Sequence, residues 1–443
     1  MSSHLESPPV KPRHYQATPD LVRRTQGDLS PEHLQARARR GPFVEELAEP
    51  KPSQPRLVST AQGAFGRLLL TIPGYAVQSA PLATVFQDLL GKLPAAAGVV
   101  ILTHESVEGD VRQWLRNAGR EGAAEVITAP DHLHFSVWAE DGYVVVTDAD
   151  EGRTSFVEPY AFPRYGDGLI ADFVSNATDL GKTQAPLYFQ GGNVLIGDDF
   201  FLIGADYPAE SLQYVNSVLR PEPGESPRDL VRRLYSEYLD TGRRLLYIGS
   251  TIPVPAEEER TFLLEGEEWR ELVYVGNQPG TVQPLFHIDM FITLVGRDED
   301  GRYRVLVGDP ALAAELLGET VRPHAMREVY DNVARGMERL GFSVTRNPLP
   351  LVYVDDPRAR FRIWYFATSN NALVEIGDDG QNRVLMPTYG HGVWSSLEVI
   401  DRRNREIFEG LGFEVVPLGD FHPFAENLGA VHCIKKYLAR STP

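Results

Sequence analysis

Cysteine is almost missing from this sequence: 443 residues contain one, Cys433. No disulfide can form within the chain, and a metal centre built from several thiolates is excluded. No run of about 18 apolar residues occurs, so no membrane-spanning helix is expected. The first residues, MSSHLESPPVKPRHYQ, lack the apolar stretch of a secretory leader. A reducing, cytoplasmic setting is the expectation. Phosphate-cradling G-x-x-x-x-G-K-[ST], a strand-to-helix G-x-G-x-x-G and the G-x-S-x-G elbow are all missing, which removes the common nucleotide-binding and serine-hydrolase classes.

Positive charge is scarce too. The chain has 43 Lys and Arg against 61 Asp and Glu, a net charge of −18. A nucleic-acid-binding body would carry a basic patch, so no nucleic-acid partner is expected. An acidic surface concentrates cations near it, which fits a small cationic substrate, although solubility alone explains such a balance.

Composition changes along the chain. Nine of the 33 prolines lie in residues 1–60, where nine basic residues meet seven acidic ones. This stretch reads as a largely disordered Pro-rich extension, with one short helix near Pro31–Arg40. Residues 61–443 read as a single catalytic domain. There, amphipathic helices run into short apolar strands: Ala80–Leu93 into Gly98–Thr103, Pro227–Leu239 into Arg244–Ile248, His324–Leu340 into Phe342–Thr345, and Arg403–Leu411 into Phe413–Pro417. Val329, Val333 and Leu340 mark one face of the third helix. The junctions Leu340-Gly341-Phe342 and Leu411-Gly412-Phe413 nearly repeat, with glycine placed for a left-handed helix cap. Hairpins fall between these units, at Asn193–Ile203 and Leu373–Met386, the second with an Asp379-Gly380 turn. An α/β fold follows: either a quasi-symmetric array closed on itself or an ordinary open sheet.

Four segments combine polar residues with apolar or glycine-rich surroundings: Trp138-Ala-Glu-Asp141-Gly142, Gln190-Gly191-Gly192-Asn193, Phe286-His287-Ile-Asp289-Met-Phe291 and Leu428-Gly-Ala-Val-His432-Cys433. On a strand His287 and Asp289 share a face, either as a self-satisfied buried pair or as two groups aimed into a site. Cys433 is either a small buried hydrophobe or a nucleophile. For the latter, Gly429-Ala430 would let a substrate approach, Lys435 and Lys436 would favour a thiolate, and His287 would be its partner, since His432 on a strand faces the other way. Asp141 is either a solvated turn residue or a carboxylate that anchors a cation. Gly191–Asn193 could equally be a turn.

Taken in order, Trp-x-x-Asp, Gly-Gly-Asn, His-x-Asp and a late His-Cys resemble the guanidino-group-modifying enzymes, or penteins, and most of all agmatine and peptidylarginine deiminases. The resemblance spans roughly Gly66 to Leu438. It implies a pentein-type α/β propeller of about five ββαβ units with pseudo-fivefold symmetry. It also implies hydrolysis of a guanidino group to a ureido product and ammonia. Cys433 would be the nucleophile, His287 the acid and base, and Asp141 and Asp289 the carboxylates that hold the guanidinium. Trp138, Gly192, Asn193 and Arg164 are the expected substrate contacts, on free arginine, an arginine-like amine or an arginine-containing peptide. No cofactor or metal is expected; the acidic turns Asp198-Asp199 and Asp298–Asp300 lack the spacing of a calcium loop. The chain departs from the family pattern at Glu140, at Gly142-Tyr143, at Gln190 (where relatives often carry Glu) and in the shortened glycine run before Cys433. An amidinotransferase with the same Cys/His/Asp set and a non-catalytic guanidino-binding propeller are the alternatives.

Overall fold

In a computed structural model of the chain, residues 50–164, 166–377 and 381–440 are described, and among them the fold is mixed α/β with six sheets. Five of these sheets repeat one order: two antiparallel strands, a helix on the crossover, and a third strand parallel to the second. Unit 2 runs Val144–Asp148, Thr154–Pro159, helix Ile170–Ala177, Gly181–Ala185. Unit 3 runs Val194–Ile196, Phe200–Gly204, helices Asp206–Val218 and Pro227–Leu239, Arg244–Ile248. Unit 4 runs Ile292–Arg297, Tyr303–Asp309, helices Pro310–Leu316 and Arg327–Arg339, Ser343–Pro348. Unit 5 runs Leu373–Ile376, Asn382–Thr388, helix Glu398–Gly410, Phe413–Asp420. Unit 1 is assembled from both ends of the fold: Lys435–Arg440 pairs antiparallel with Phe65–Ile72, which pairs parallel with Gly98–His104 across helix Ala80–Lys92. Each sheet is open; no sheet closes on itself among the described residues.

Local chemistry accounts for the elements. Pro227–Leu239 starts at a capping box, in which Asp229 N–H donates to Ser226 Oγ at 3.2 Å and Ser226 N–H to Asp229 Oδ2 at 3.4 Å. Gly341 and Gly412 take φ of 96° and 89° and end their helices as expected. The face of Arg327–Arg339 differs by one residue from the expected one. Val329, Val333 and Met337 are buried, whereas Leu340 is 41% exposed, because the helix stops at Arg339 and the left-handed glycine turns the chain away.

Of the extension expected over residues 1–60, residues 1–49 and their helix lie outside the described residues. From Pro55 the chain is packed: Pro55–Leu57 adds an edge to unit 2 against Val146–Asp148, and Leu57 is buried. The Asp379-Gly380 turn also lies outside the described residues, but the strands it joins pair as expected. The sixth sheet sits outside the repeat: Glu258–Leu264, Glu267–Val273, Leu351–Asp356 and Phe361–Phe366. Its core is Val273, Tyr353 and Trp364.

Hydrophobic clusters join neighbouring units. One packs Leu69, Val100 and Leu102 of unit 1 against Val145 and Phe156 of unit 2. A second joins Val144 and Val157 of unit 2 to Phe201 and Ile203 of unit 3. The largest runs from Phe200 and Leu202 of unit 3 through units 4 and 5 to Leu68 and Leu70 of unit 1. No helix among the described residues is long and apolar enough to cross a membrane.

Candidate active site

Each expected site segment occupies the same place in a different unit, one to three residues ahead of that unit's first strand: Asp141 before Val144, Asn193 before Val194, Asp289 before Ile292, and Cys433 before Lys435. Unit 5 supplies Asn371 at the equivalent place, before Leu373. The structure thus gathers Cys433, His287, Asp289 and Asp141 into one buried cluster, and Asn371 joins them.

Cys433 lies in a turn, and its thiol has two polar neighbours. Asn371 Nδ2 donates to Sγ at 3.2 Å, and Asp289 Oδ2 is 3.7 Å away. Asn371 Oδ1 also accepts from the backbone N–H of His432 at 2.9 Å and of Cys433 at 3.3 Å, which fixes the turn. The sequence paired Cys433 with His287 and turned His432 away. The second expectation assumed a strand. In the turn, His432 comes onto the same side: its Nδ1 is 2.8 Å from Asp289 Oδ2. His287 and Asp289 are not on a strand either. His287 is extended and Ile288–Met290 forms a 3-10 turn, with the strand starting only at Ile292.

Gly192 brings His287 and Asp289 together. A Cβ there would sit 2.5 Å from His287 Nδ1 and 3.2 Å from Asp289 Oδ2, so only glycine fits beneath the pair. Gln190 orients the imidazole. Its amide nitrogen donates to the Tyr188 hydroxyl at 2.9 Å, and its oxygen faces His287 Nε2 at 2.9 Å. On that assignment His287 carries its proton on Nε2 and turns the Nδ1 lone pair inward. Nδ1 is 3.7 Å from Asp141 Oδ1. Asp141 Oδ2 accepts from Arg164 Nη2 at 2.8 Å, and Arg164 Nε in turn donates to Asp167. Arg164 is therefore a buried ion-pair partner and no surface residue.

Asn193 is bonded on both sides of its amide. Its Oδ1 accepts from Ile288 N–H at 3.0 Å and Gln283 Nε2 at 2.9 Å, so it holds the turn that carries His287 and Asp289. Trp138 fills the space a Gly429 side chain would need, its ring 2.3 Å from that Cβ position. Gly429 is thus demanded by the indole rather than by an approaching substrate. Lys435 and Lys436 send their ammonium groups to Glu140, at 2.7 and 2.8 Å, and Glu140 N–H donates to the Cys433 carbonyl at 3.1 Å. The departure at Glu140 therefore has a partner: two lysines downstream of the cysteine.

Within the cluster, five buried atoms have no hydrogen-bond partner among the described residues: Asp141 Oδ1, Asp289 Oδ1, His287 Nδ1, Arg164 Nη1 and His432 Nε2. Burial sets the protonation of the cluster. The carboxyls of Asp289 and Asp141 are pushed up by loss of water, Asp289 well above the usual range with Glu140 and Asp141 adding to it. Burial, then Asp289 and Asp141, push the Cys433 thiol up. Burial and then Arg164 take His287 down to about 3. Burial thus disfavours the charged forms of Asp289, Cys433 and His287, while Arg164 opposes that effect at Asp141. A cavity of about 230 Å³ reaches Gln190, Tyr207 and Phe286, one side chain from His287, with Glu210 on its wall.

Asn371 and His432 are the two members that sequence reasoning missed. The signal for Asn371 was its place, since it precedes the Leu373 hairpin as Asn193 precedes its own. His432 had no such signal, because its direction depends on a turn.

No family model and no curated protein matches the sequence. Solved structures do. The agmatine deiminase of C. jejuni superimposes with a TM-score of 0.56 at 11% identity, over 88% of this chain and 96% of that one. The agmatine deiminase of Enterococcus faecalis gives 0.52 at 12%, over 88% and 97%. A third, named only provisionally as a peptidyl-arginine deiminase, gives 0.57 at 12%, over 88% and 100%. The chain shares its fold with the agmatine deiminases.

Proposed function

We propose that this chain is a cysteine-dependent guanidino-group hydrolase, a deiminase that converts an arginine-like or peptidyl-arginine substrate to its ureido product and ammonia. The observation that carries the reading is the pair of unpartnered buried carboxylate oxygens, Asp141 Oδ1 and Asp289 Oδ1, beside a thiol and an imidazole nitrogen. Two buried acceptors without donors are costly. A planar cation with N–H groups on both sides supplies the missing donors, and its charge favours the ionised form of Asp289.

Cys433 then attacks the guanidino carbon while its proton passes to His287 Nδ1. As the C–N bond breaks, that proton leaves with ammonia, and a thiouronium adduct stays on Cys433. Water attacks the adduct and gives a proton to His287. The C–S bond breaks as the new hydroxyl becomes the ureido carbonyl and releases its proton, which is taken up as ammonia becomes ammonium, and the proton on His287 returns to the thiolate. One imidazole serves as base and acid in turn. Trp138 backs the nucleophile turn, Gly192 lets the cation lie close to His287, Asn193 holds the His287–Asp289 turn, and Arg164 fixes Asp141 and offers Nη1 to an acceptor on the substrate. The cavity at Gln190 is the approach route.

The five units form the blades of a pseudo-fivefold propeller, with residues 61–443 as its single catalytic domain. Two observations support this: the equivalent placement of the five site segments, and the apolar packing that links each unit to the next. The protein is cytoplasmic and needs no cofactor.

One observation favours a second reading, a non-catalytic guanidino binder. Gln190 gives His287 an amide where a carboxylate would stabilise the imidazolium. The test is ureido-product and ammonia detection with arginine, agmatine, methylated arginine and arginine peptides, without any amine acceptor. Product supports the hydrolase. Protection of Cys433 by these compounds without turnover supports the binder, and turnover only with an added amine supports a transferase.

A further inference from the structure

The two oxygens of Asp289 keep different company. Oδ2 meets His432 Nδ1 at 2.8 Å and Cys433 Sγ at 3.7 Å, while Oδ1 has no hydrogen-bond partner among the described residues. A carboxylate turns readily about its last torsion, so a fixed donor on one oxygen decides where the other points. His432 is such a donor. Its backbone N–H is tied to Asn371 Oδ1 at 2.9 Å, and its ring is buried near Tyr437, with centroids 6.2 Å apart. Among the described residues Nε2 has no hydrogen-bond partner, so the ring's hydrogen bond is made by Nδ1. Burial, with Lys435, Lys436 and Arg440 nearby, keeps the ring neutral. Once a cation lies at Oδ1, Asp289 is ionised and the imidazole N–H is the donor.

We propose that His432 is a positioning residue: by donating from Nδ1 to Oδ2 of Asp289, it aims Oδ1 at the substrate cation and keeps Oδ2 beside the Cys433 thiol. The proposal rests on the guanidino reading above. His432 touches no substrate in it.

The test needs no turnover. Cys433 is the only cysteine, so alkylation of the full-length protein reports that residue alone. Two probes of similar shape, 2-chloroacetamidine (cationic) and 2-chloroacetamide (neutral), differ in the charge that Asp141 and Asp289 would hold. The ratio of their alkylation rates measures carboxylate-directed binding. In His432→Leu this ratio is expected to fall by about tenfold or more, and in His432→Asn, whose amide N–H lies the same number of bonds from Cα, to return to within about threefold of wild type. If the leucine variant does not fold, His432→Gln, with its N–H one bond further out, is expected to fall between wild type and the loss set for leucine. A folded leucine variant with the wild-type ratio overturns the proposal, as does an asparagine variant as impaired as leucine, or, where leucine does not fold, a glutamine variant at the wild-type ratio. Wild-type protein that shows no preference for the amidine overturns the guanidino reading, and the proposal with it.

Discussion

Arg164 donates to Asp141 through Nη2 at 2.8 Å, so a guanidinium of the protein itself already holds one oxygen of the carboxylate that faces His287. Both side chains are buried. Removing one member of such a pair strands the other charge. Arg164→Gln is expected to lower stability by about 3 kcal/mol or more, read by urea unfolding. A loss below about 1 kcal/mol, the value of an exposed pair, would show that water reaches Asp141.

Gly192 should tolerate no side chain. In Gly192→Ala the new methyl meets His287 Nδ1 at 2.5 Å and must displace it. A shift near 1 Å at a reacting group costs about a hundredfold in rate. The kcat/KM of Gly192→Ala is expected to fall by that order while the far-ultraviolet dichroism is unchanged. Full activity would place the reacting nitrogen elsewhere.

Gln190→Glu tests the neutral imidazole. A carboxylate at Nε2 favours the charged ring, so the His287 pKa is expected to rise from about 3 by roughly one to three pH units, followed by NMR of the ring proton. No movement would mean that Gln190 does not contact His287 in solution.

Much of the fold was legible because helix and strand periods are local. The helix–strand units, their glycine caps and the order of the four site segments all came from short spacings. The site's wiring was less so. Strand geometry was assumed around His287 and Cys433, where tight turns stand, so the direction of His432 was missed. Glu140 read as a departure because its partners, Lys435 and Lys436, lie about 300 positions away. Gly429 read as an opening because nothing local announces an indole against it.

His287 also gives a pH dependence of stability. In the unfolded chain it takes up a proton near 6.5, and in the folded one only near 3. Between those values the unfolded chain binds more protons, so stability rises with pH across this window and is lost on acidification. The contribution is at most about 1.4 kcal/mol per pH unit. His287→Gln lacks it. The Tm of the variant relative to wild type is expected to be higher at pH 4.5 than at pH 7.5. An equal difference at both values would show an accessible imidazole.

Everything turns on whether Cys433 attacks a guanidino carbon. The most direct measurement is ureido-product formation by wild type and by Cys433→Ala on the same guanidino substrate, with substrate binding followed in parallel. The expected result is product from wild type alone and similar affinity in both proteins. Undiminished product from Cys433→Ala would contradict the assignment of Cys433 as nucleophile.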